Sequence, residues 1–241
     1  MPDISIYGTA YRPDLWMRFY DSIGENKASF EVIFAGPNKP TYTLPDNFKF
    51  IKTDVKPAQC VEIAARQTKA DLIMDVADDT VFLQEHPLDM LYTTYISYNN
   101  PKLMLSCRFA MNGTNLSRTW HHFYYKDMAS PIVPVSGLVS RQLYMDMSGI
   151  DRNFIAAMFP LDIAMRIYAL GGNIVLSDVF INEIRGRKGI CQEFWNYDRP
   201  LLDRFWPNMK QDGPFNRTQP VEPFSDENIL IESQGPKGRW I

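Results

Sequence analysis

The acidic pair Asp78-Asp79 is the feature of this sequence that points most directly to chemistry. It follows the apolar run Leu72-Ile73-Met74-Asp75-Val76, which predicts a buried strand that would deliver both carboxylates into a cleft. Hard divalent cations such as Mg²⁺ and Mn²⁺ bind carboxylate oxygens and keep coordination positions for substrate phosphates. The pair therefore predicts a metal site that holds a diphosphate. Since acidic pairs are common in loops, a solvated turn is the alternative.

Alternating strands and helices would have to position this pair. Strands are predicted at 4–8, 30–34, 48–51 and 72–76, and helices are predicted to begin at Pro13 and to run over 58–70. This alternation is typical of an α/β fold with a mostly parallel sheet flanked by helices. Ligands of such sheets bind beyond the carboxyl ends of the strands, where three loops here carry polar groups. These loops are Thr9-Ala10-Tyr11-Arg12, Gly36-Pro37-Asn38 and Ala77-Asp78-Asp79.

The later part of the chain continues the pattern and then loses it. Helices are predicted at 88–98, 142–147 and 159–170, and strands at 103–109, 174–176 and 179–181. Residues 110–131 interrupt the pattern, and their Trp120, His121 and His122 could form an acceptor site or a lid, or cover the edge of the core. Prolines punctuate the chain from Trp195 onward. We expect a single domain over 1–194 and a Pro-rich C-terminal extension or linker, 195–241, packing on it.

Composition excludes several classes of protein. The 241 residues carry 25 Lys and Arg against 28 Asp and Glu, a net charge of −3, whereas domains that bind nucleic acid usually have a basic excess. We therefore expect no nucleic-acid partner. No apolar run approaches the roughly 18 to 20 residues of a membrane span, and the N-terminus lacks the features of a signal peptide. The sequence thus predicts a cytoplasmic protein.

Several short motifs occur in an order that one known family shares. Gly8-Thr9-Ala10-Tyr11-Arg12-Pro13 is similar to its Pro-Thr-Tyr-Asn-Arg-like turn, and Asp79 falls on the second Asp of its Asp-X-Asp. Its other landmarks are matched by Ala65-Arg66-Gln67, Lys69-Ala70-Asp71-Leu72-Ile73, Ser136-Gly137, Arg141 and Gly149-Ile150-Asp151-Arg152-Asn153-Phe154. Over about residues 3–180 the chain resembles nucleotide-diphosphosugar transferases of the GT-A fold, specifically the inverting family numbered two. It is also similar to the small glycosyltransferase domains of large algal viruses.

The resemblance implies an activity and a set of ligands. The activity is metal-assisted transfer of a sugar, with inversion, from a nucleoside-diphosphate sugar, first of all a UDP-sugar, to a hydroxyl of a glycan acceptor. Asp79 would hold Mn²⁺ or Mg²⁺, and Asp78 would face the ribose of the nucleotide. Thr9, Ala10, Tyr11 and Arg12 would contact the nucleotide together with Gly36 and Arg66. The two arginines would bind the diphosphate or the base, with surface salt bridges as the alternative.

The sequence departs from the family pattern at three places. Ala77 replaces the first Asp of Asp-X-Asp, and Ala35-Gly36 replaces an acidic pair after the second strand. In the segment 159–166, Pro160 stands where the family has its catalytic base. An attacking acceptor hydroxyl needs a carboxylate that takes its proton, and single displacement inverts the anomeric centre. Asp162 is the first candidate for this base and Asp151 the second, although Asp151 could equally be a helix cap or a turn residue.

Two other functions remain open from the sequence. The first is a catalytically silent nucleotide- or sugar-binding module, in which Ala77 and Pro160 mark lost chemistry. The second is a nucleotidyltransferase that makes sugar nucleotides. Such an enzyme would be expected to carry a Gly-rich phosphate loop with Lys or Arg after the first strand, and Gly8-Thr9-Ala10 is poor in glycine.

Overall fold

The structure, a computed structural model, describes residues 1–111, 114–115, 136–184, 194–209 and 214–236. The strands are β1 (Ile4–Thr9), β2 (Phe30–Gly36), β3 (Phe48–Lys52), β4 (Leu72–Asp75), β5 (Thr80–Phe82), β6 (Leu103–Met111), β7 (Thr114–Asn115), β8 (Gly137–Ser140) and β9 (Asn173–Glu183). The helices are α1 (Pro13–Ile23), α2 (Pro57–Arg66), α3 (Pro87–Tyr98), α4 (Arg141–Asp146), α5 (Phe159–Ala169) and α6 (Trp195–Phe205). None of these helices is long and apolar enough to cross a membrane.

All the strands belong to one sheet, in the order β3-β2-β1-β4-β8-β6-β9-β5, with β7 paired to β6. The first four strands in this order are parallel. β8 lies antiparallel between β4 and β6, β9 runs parallel to β6, and β5 is antiparallel at the edge. The predicted α/β fold is confirmed. The sequence pattern did not predict β5, β7 and β8, because each is short and, unlike β4, none continues into a longer apolar run.

Helices cover both faces of the sheet. Alternation along β1 sends Ile4 and Ile6 to the face covered by α1 and α3, and Tyr7 to the face covered by α2, α4, α5 and α6. Four of the helices, α1, α2, α3 and α5, have a proline in their first turn, where the missing N–H costs no hydrogen bond. The result is a layered fold in which the carboxyl ends of the parallel strands stay open to loops.

The C-terminal part of the chain contains one helix that the sequence pattern did not predict. Pro200 lies inside α6, and polar residues interrupt its apolar face, yet Leu202 and Phe205 are buried in the core. Further on, the buried side chain of Gln59 on α2 donates hydrogen bonds to the carbonyls of Ile229, at 2.7 Å, and Glu232, at 2.9 Å. The described C-terminal residues therefore pack on the α2 face. The domain boundary between 194 and 195 stays a prediction.

Candidate functional site

The loops that follow β1, β2 and β4 meet at one edge of the sheet. The backbone N–H of Ala10 donates to the carbonyl of Ala35, and that of Val76 donates to the carbonyl of Tyr7. The end of β9 joins them, because the N–H of Ile184 donates to the carbonyl of Asp79 at 2.9 Å. This carboxyl edge is the place where open α/β sheets bind ligands.

Two glycines allow these loops to approach so closely. A Cβ at Gly36 would lie 1.8 Å from the carbonyl oxygen of Ala10, and a Cβ at Gly8 would lie 2.1 Å from that of Val76. Both distances are far inside van der Waals contact, and the obstacle in each case is backbone. Gly36 therefore lets the turn after β1 pack directly on the end of β2. Its contact with the nucleotide stays a prediction.

Asp78 organises the turn after β1. Its Oδ2 accepts hydrogen bonds from the backbone N–H groups of Tyr11, at 2.6 Å, and Arg12, at 2.5 Å. The indole Nε1 of Trp16 donates to the same oxygen at 3.3 Å. Asp78 is only 4% exposed, and its hydrogen bonds to the two backbone N–H groups hold the predicted nucleotide-binding turn in place. Its direct contact with a ribose stays a prediction.

Asp79 is paired with the side chain of Arg12. The guanidinium Nη1 of Arg12 lies 2.7 Å from Oδ2 of Asp79 and 3.2 Å from Oδ1 of Asp78. Asp79 is as deeply buried as its neighbour. The structure therefore brings together three residues that sequence analysis assigned to the site, Arg12, Asp78 and Asp79.

Glu183 is a member of this cluster that sequence analysis missed. It is the last residue of β9 and pairs in register with Thr80, the residue after Asp79. The pKa of Glu183 is raised to about 7, first by burial and then by the charge of Asp79, while the charge of Arg12 opposes both effects. The only local signal was an acidic residue at the end of an apolar strand. The closeness of Glu183 to Asp79 follows only from the pairing of β9 with β5.

The carboxylates at this edge fit a divalent cation that also binds phosphate. Among the described residues no group of three His, Cys, Asp or Glu side chains could enclose a metal ion. However, Mg²⁺ commonly binds one or two carboxylates and takes its remaining ligands from water and substrate phosphates. Asp79 and Glu183 supply such a partial set. A cation there would compete with Arg12 for Asp79.

The turn after β1 presents an unsatisfied hydroxyl. Oγ1 of Thr9 is buried and has no hydrogen-bond partner in the described part of the chain. The turn itself is fixed, because Nδ2 of Asn38 donates to the carbonyl of Tyr11 at 2.6 Å and Ala10 is fully buried. A buried hydroxyl without a partner carries a free-energy cost that a polar ligand would remove. Thr9 is thus suited to bind a ligand at this edge.

Arg66 lies away from this cluster. It is the last residue of α2, which runs away from the carboxyl edge. The backbone N–H groups of Lys69 and Ala70, just after it, donate to the hydroxyl of Ser5, so Arg66 lies near the start of β1. Its Nε donates to Glu62 at 2.7 Å. Its other nitrogens bind the C-terminal segment, at Asp226 and at the carbonyl of Phe224. The structure does not bring Arg66 to Asp79, and its contacts are those of a residue that holds the C-terminal segment.

The two base candidates, Asp151 and Asp162, share one arginine. Nη2 of Arg217 lies 2.6 Å from Oδ2 of Asp151, and its Nε lies 3.0 Å from Oδ1 of Asp162. Trp206 also donates to Asp162, at 2.8 Å, and both aspartates are 0% exposed. Asp151 in addition accepts from the backbone N–H of Asn153, which is the turn role weighed as its alternative. Asp162 also pairs with Arg166, whose Nε lies 3.0 Å from its Oδ2. The assignment of the base to either residue stays a prediction, and it requires separation from these arginines.

The remaining predicted residues, Trp120, His121 and His122, lie outside the described residues.

Comparison with known proteins identifies the fold. No protein-family model matches the sequence, and no curated protein matches it either. Solved structures do match: Staphylococcus aureus TarS 1-349 in complex with UDP has a TM-score of 0.57 at 15% identity, covering 75% of this chain and 60% of that one. The mannosyltransferase PcManGT from Pyrobaculum calidifontis, in complex with GDP-Man and Mn²⁺, has a TM-score of 0.57 at 15% identity, covering 78% and 58%. The chain thus has the fold of nucleotide-sugar glycosyltransferases, and it spans about 60% of the length of these chains.

Proposed function

From the fold that this chain shares with nucleotide-sugar glycosyltransferases, we propose that it transfers a sugar from a nucleoside-diphosphate sugar to a hydroxyl of a glycan acceptor. The observation that carries the proposal is the buried cluster of Arg12, Asp78 and Asp79 at the carboxyl edge of the sheet. A buried charged cluster at a ligand-binding edge is typical of a functional site, and Thr9 in the adjoining turn has a buried hydroxyl with no partner among the described residues. In the matched structures, TarS is in complex with UDP or UDP-GlcNAc and PcManGT with GDP-Man and Mn²⁺.

Each residue at the edge has a role in this proposal. The turn Thr9-Ala10-Tyr11-Arg12, packed on Gly36 and held by Asp78, forms the nucleotide site. Asp79 and Glu183 would hold Mn²⁺ or Mg²⁺. When bound, the cation neutralises the negative charge that develops on the leaving diphosphate. Arg12 contributes a second positive charge at the same place, and its planar guanidinium suits paired contacts to phosphate oxygens.

The transfer is proposed to proceed by a single displacement. The acceptor oxygen attacks the anomeric carbon from the face opposite the diphosphate, so the configuration inverts. The proton of the acceptor hydroxyl must pass to a protein base during this step. A UDP-sugar is the first donor to test and GDP-mannose the second, because the matched proteins are complexed with donors of these two nucleotides.

One observation favours a second candidate, a nucleotide-sugar binding module without catalysis. Asp151 and Asp162 both pair with Arg217, Asp162 also pairs with Arg166 at 3.0 Å, and both carboxylates are closed to solvent. A binding module needs no base, and the arrangement at Asp78 and Asp79 would serve it equally well. The release of nucleotide from the donor distinguishes the two functions.

Nucleotide binding and release provide the test. We expect UDP to raise the melting temperature more in the presence of MnCl₂ than without it, and Asp79→Asn to abolish the metal-dependent part. Asp46→Asn, an exposed aspartate before β3 at the other edge, is the matched control. UDP-glucose, UDP-GlcNAc and GDP-mannose are then incubated with the protein, and free UDP or GDP is measured. Binding without release would favour the silent module, and neither binding nor release would refute both functions.

A further inference from the structure

Arg12 uses fewer of its donors than the other arginines that pair with buried aspartates. Arg166 and Arg217 each direct Nε, Nη1 and Nη2 to carboxylates or backbone carbonyls. In Arg12 only Nη1 is engaged, with Asp78 and Asp79, while Nε and Nη2 donate to no acceptor in the described part of the chain. Arg12 therefore keeps two donor nitrogens for a ligand, whereas the other two arginines are fully occupied by the fold.

The turn after β1 is held in place without the guanidinium of Arg12. The backbone N–H groups of Tyr11 and Arg12 bind Oδ2 of Asp78, whereas the guanidinium contacts Oδ1 of Asp78 and Oδ2 of Asp79. The side chain of Asn38 fixes the turn further by donating to the carbonyl of Tyr11. Since the side chain of Arg12 is 14% exposed, it can leave the aspartates while all of these backbone contacts remain.

Arg12 and Asp79 would each serve a different ligand of the proposed reaction. A diphosphate would bind Arg12, because a planar guanidinium makes paired, charge-assisted contacts to phosphate oxygens. A divalent cation would bind Asp79, which together with Glu183 offers carboxylate oxygens at this edge of the sheet. Arg12 and Asp79 are paired with each other at 2.7 Å, so either ligand must break this ion pair in order to bind.

We propose that Arg12 couples the binding of a nucleoside diphosphate to the binding of the divalent cation, an inference that rests on the proposed function. Arg12 leaves Asp79 when either ligand binds, and it turns to the phosphates when the diphosphate is present. The first ligand carries the free-energy cost of breaking the pair, and the second binds to a site in which the pair is already broken. Linkage then requires that each ligand strengthens the binding of the other by the same factor.

The coupling depends on the diphosphate part of the nucleotide. A nucleoside without phosphate has no charge that attracts the guanidinium, so it can occupy the turn Thr9–Arg12 and leave the pair of Arg12 with Asp79 intact. The cation site is therefore completed only when a nucleoside diphosphate, or a sugar conjugate of one, is bound. Arg12 in this way acts as a positioning residue, because it controls the cation through Asp79.

The test measures the affinity for Mn²⁺ by isothermal titration calorimetry, with and without UDP. The association of Mn²⁺ with free UDP is measured separately and included in the fit. We expect UDP to raise the affinity of wild type for Mn²⁺ by a factor that falls about tenfold in Arg12→Gln, because the pair no longer has to be broken. Uridine should leave the Mn²⁺ affinity of wild type unchanged. Arg18→Gln, an exposed arginine on α1, is the matched control and should keep the wild-type factor.

The coupling factor distinguishes this role from a structural one. It is the ratio of two affinities of the same protein, so a loss of folded protein in a variant cancels from it. If the guanidinium only supported the fold, Arg12→Gln would lower both affinities and leave their ratio as in wild type. Arg12→Lys keeps the positive charge and should therefore keep more of the coupling than Arg12→Gln does.

Three results would overturn the proposal while leaving the nucleotide site in place. They are a coupling factor in Arg12→Gln equal to that of wild type, a factor in Arg12→Lys no larger than that in Arg12→Gln, and uridine that strengthens Mn²⁺ binding as much as UDP does. If wild type binds neither UDP nor GDP in the presence of MnCl₂, the proposed function fails as well, so the two failures are distinguishable.

Discussion

The guanidinium of Arg12 lies 2.7 Å from the carboxylate of Asp79, the residue proposed to hold a divalent cation. The pair joins the turn after β1 to the loop after β4, and its arginine is 14% exposed at the side chain. Two opposite charges about 4 Å apart attract each other by on the order of 4 kcal/mol at an effective dielectric constant of 20, before the cost of removing both from water. Arg12 therefore competes with any metal ion for the same oxygen.

Replacing Arg12 should strengthen metal binding in the absence of nucleotide. We expect Arg12→Gln to raise the affinity for Mn²⁺ by about tenfold or more, because the competing guanidinium is removed from Asp79. The backbone N–H of Arg12 that binds Asp78 remains in the variant. Titration of Mn²⁺ followed by electron paramagnetic resonance measures the free ion. Arg18→Gln, an exposed arginine on α1, should bind Mn²⁺ as wild type does. Equal affinity in all three proteins would contradict the competition.

A methyl group at Gly36 should disrupt the nucleotide turn. The added Cβ of Gly36→Ala would collide with the Ala10 carbonyl at 1.8 Å, so the turn after β1 must move. We expect a loss of about 1–3 kcal/mol in the free energy of unfolding and weaker UDP binding. Gly24→Ala is the control, since a Cβ there meets no atom within 4 Å and only its positive φ of 62° adds strain. Urea denaturation measures the free energy of unfolding of both variants, and titration with UDP measures their binding. A Gly36→Ala protein that binds UDP normally would argue against this turn as the nucleotide site.

Removing Arg217 should cost far more stability than removing a surface arginine. Arg217→Met removes the cation shared by two buried aspartates, and although Asp162 keeps Arg166 at 3.0 Å, Asp151 loses its arginine; breaking a buried pair typically costs about 3–5 kcal/mol. Arg152→Ala breaks an ion pair with Glu222 whose side chains are 42% and 50% exposed, and such pairs contribute about 0–1 kcal/mol. Chemical denaturation of both variants tests the difference. Similar small losses would mean that the two aspartates are not dependent on Arg217.

The ionisation of Asp75 should reduce stability as the pH rises. Its pKa is raised from 3.8 to about 7 in the folded chain, so between these values the unfolded state ionises while the folded state resists. Below about pH 4 both states are protonated and nothing is lost; above pH 7 the loss is complete. Asp75→Asn cannot ionise, and it should exceed wild type in stability by an amount that grows over this window to at most about 4 kcal/mol.

Chemical unfolding of wild type and Asp75→Asn between pH 4 and pH 8 measures the stability excess of the variant. Glu183, whose pKa is also raised to about 7, titrates in both proteins and cancels from the difference. An excess that is constant with pH would contradict the raised pKa of Asp75.

Local patterns in the sequence determined the architecture. Alternating apolar residues predicted β1 and β2, and prolines in the first turn marked the starts of α1 and α3, because these signals depend on residues only a few positions apart. The rule that ligands bind beyond parallel strands then predicted a site at Thr9–Arg12, Gly36 and Asp78-Asp79. The structure brings Arg12 and the two aspartates into contact at that edge.

Only the tertiary structure decided the partners of the charged residues. Arg66 is separated by 160 residues from its partner Asp226, and Arg217 by 55 residues from Asp162. No local period encodes such pairs, because burial and mutual neutralisation arise only after the sheet, α2 and the C-terminal segment have packed together. The sequence by itself thus determined the fold and the edge at which a ligand would bind. The packed structure decided which carboxylates, such as Asp79, Asp151 and Asp162, pair with an arginine.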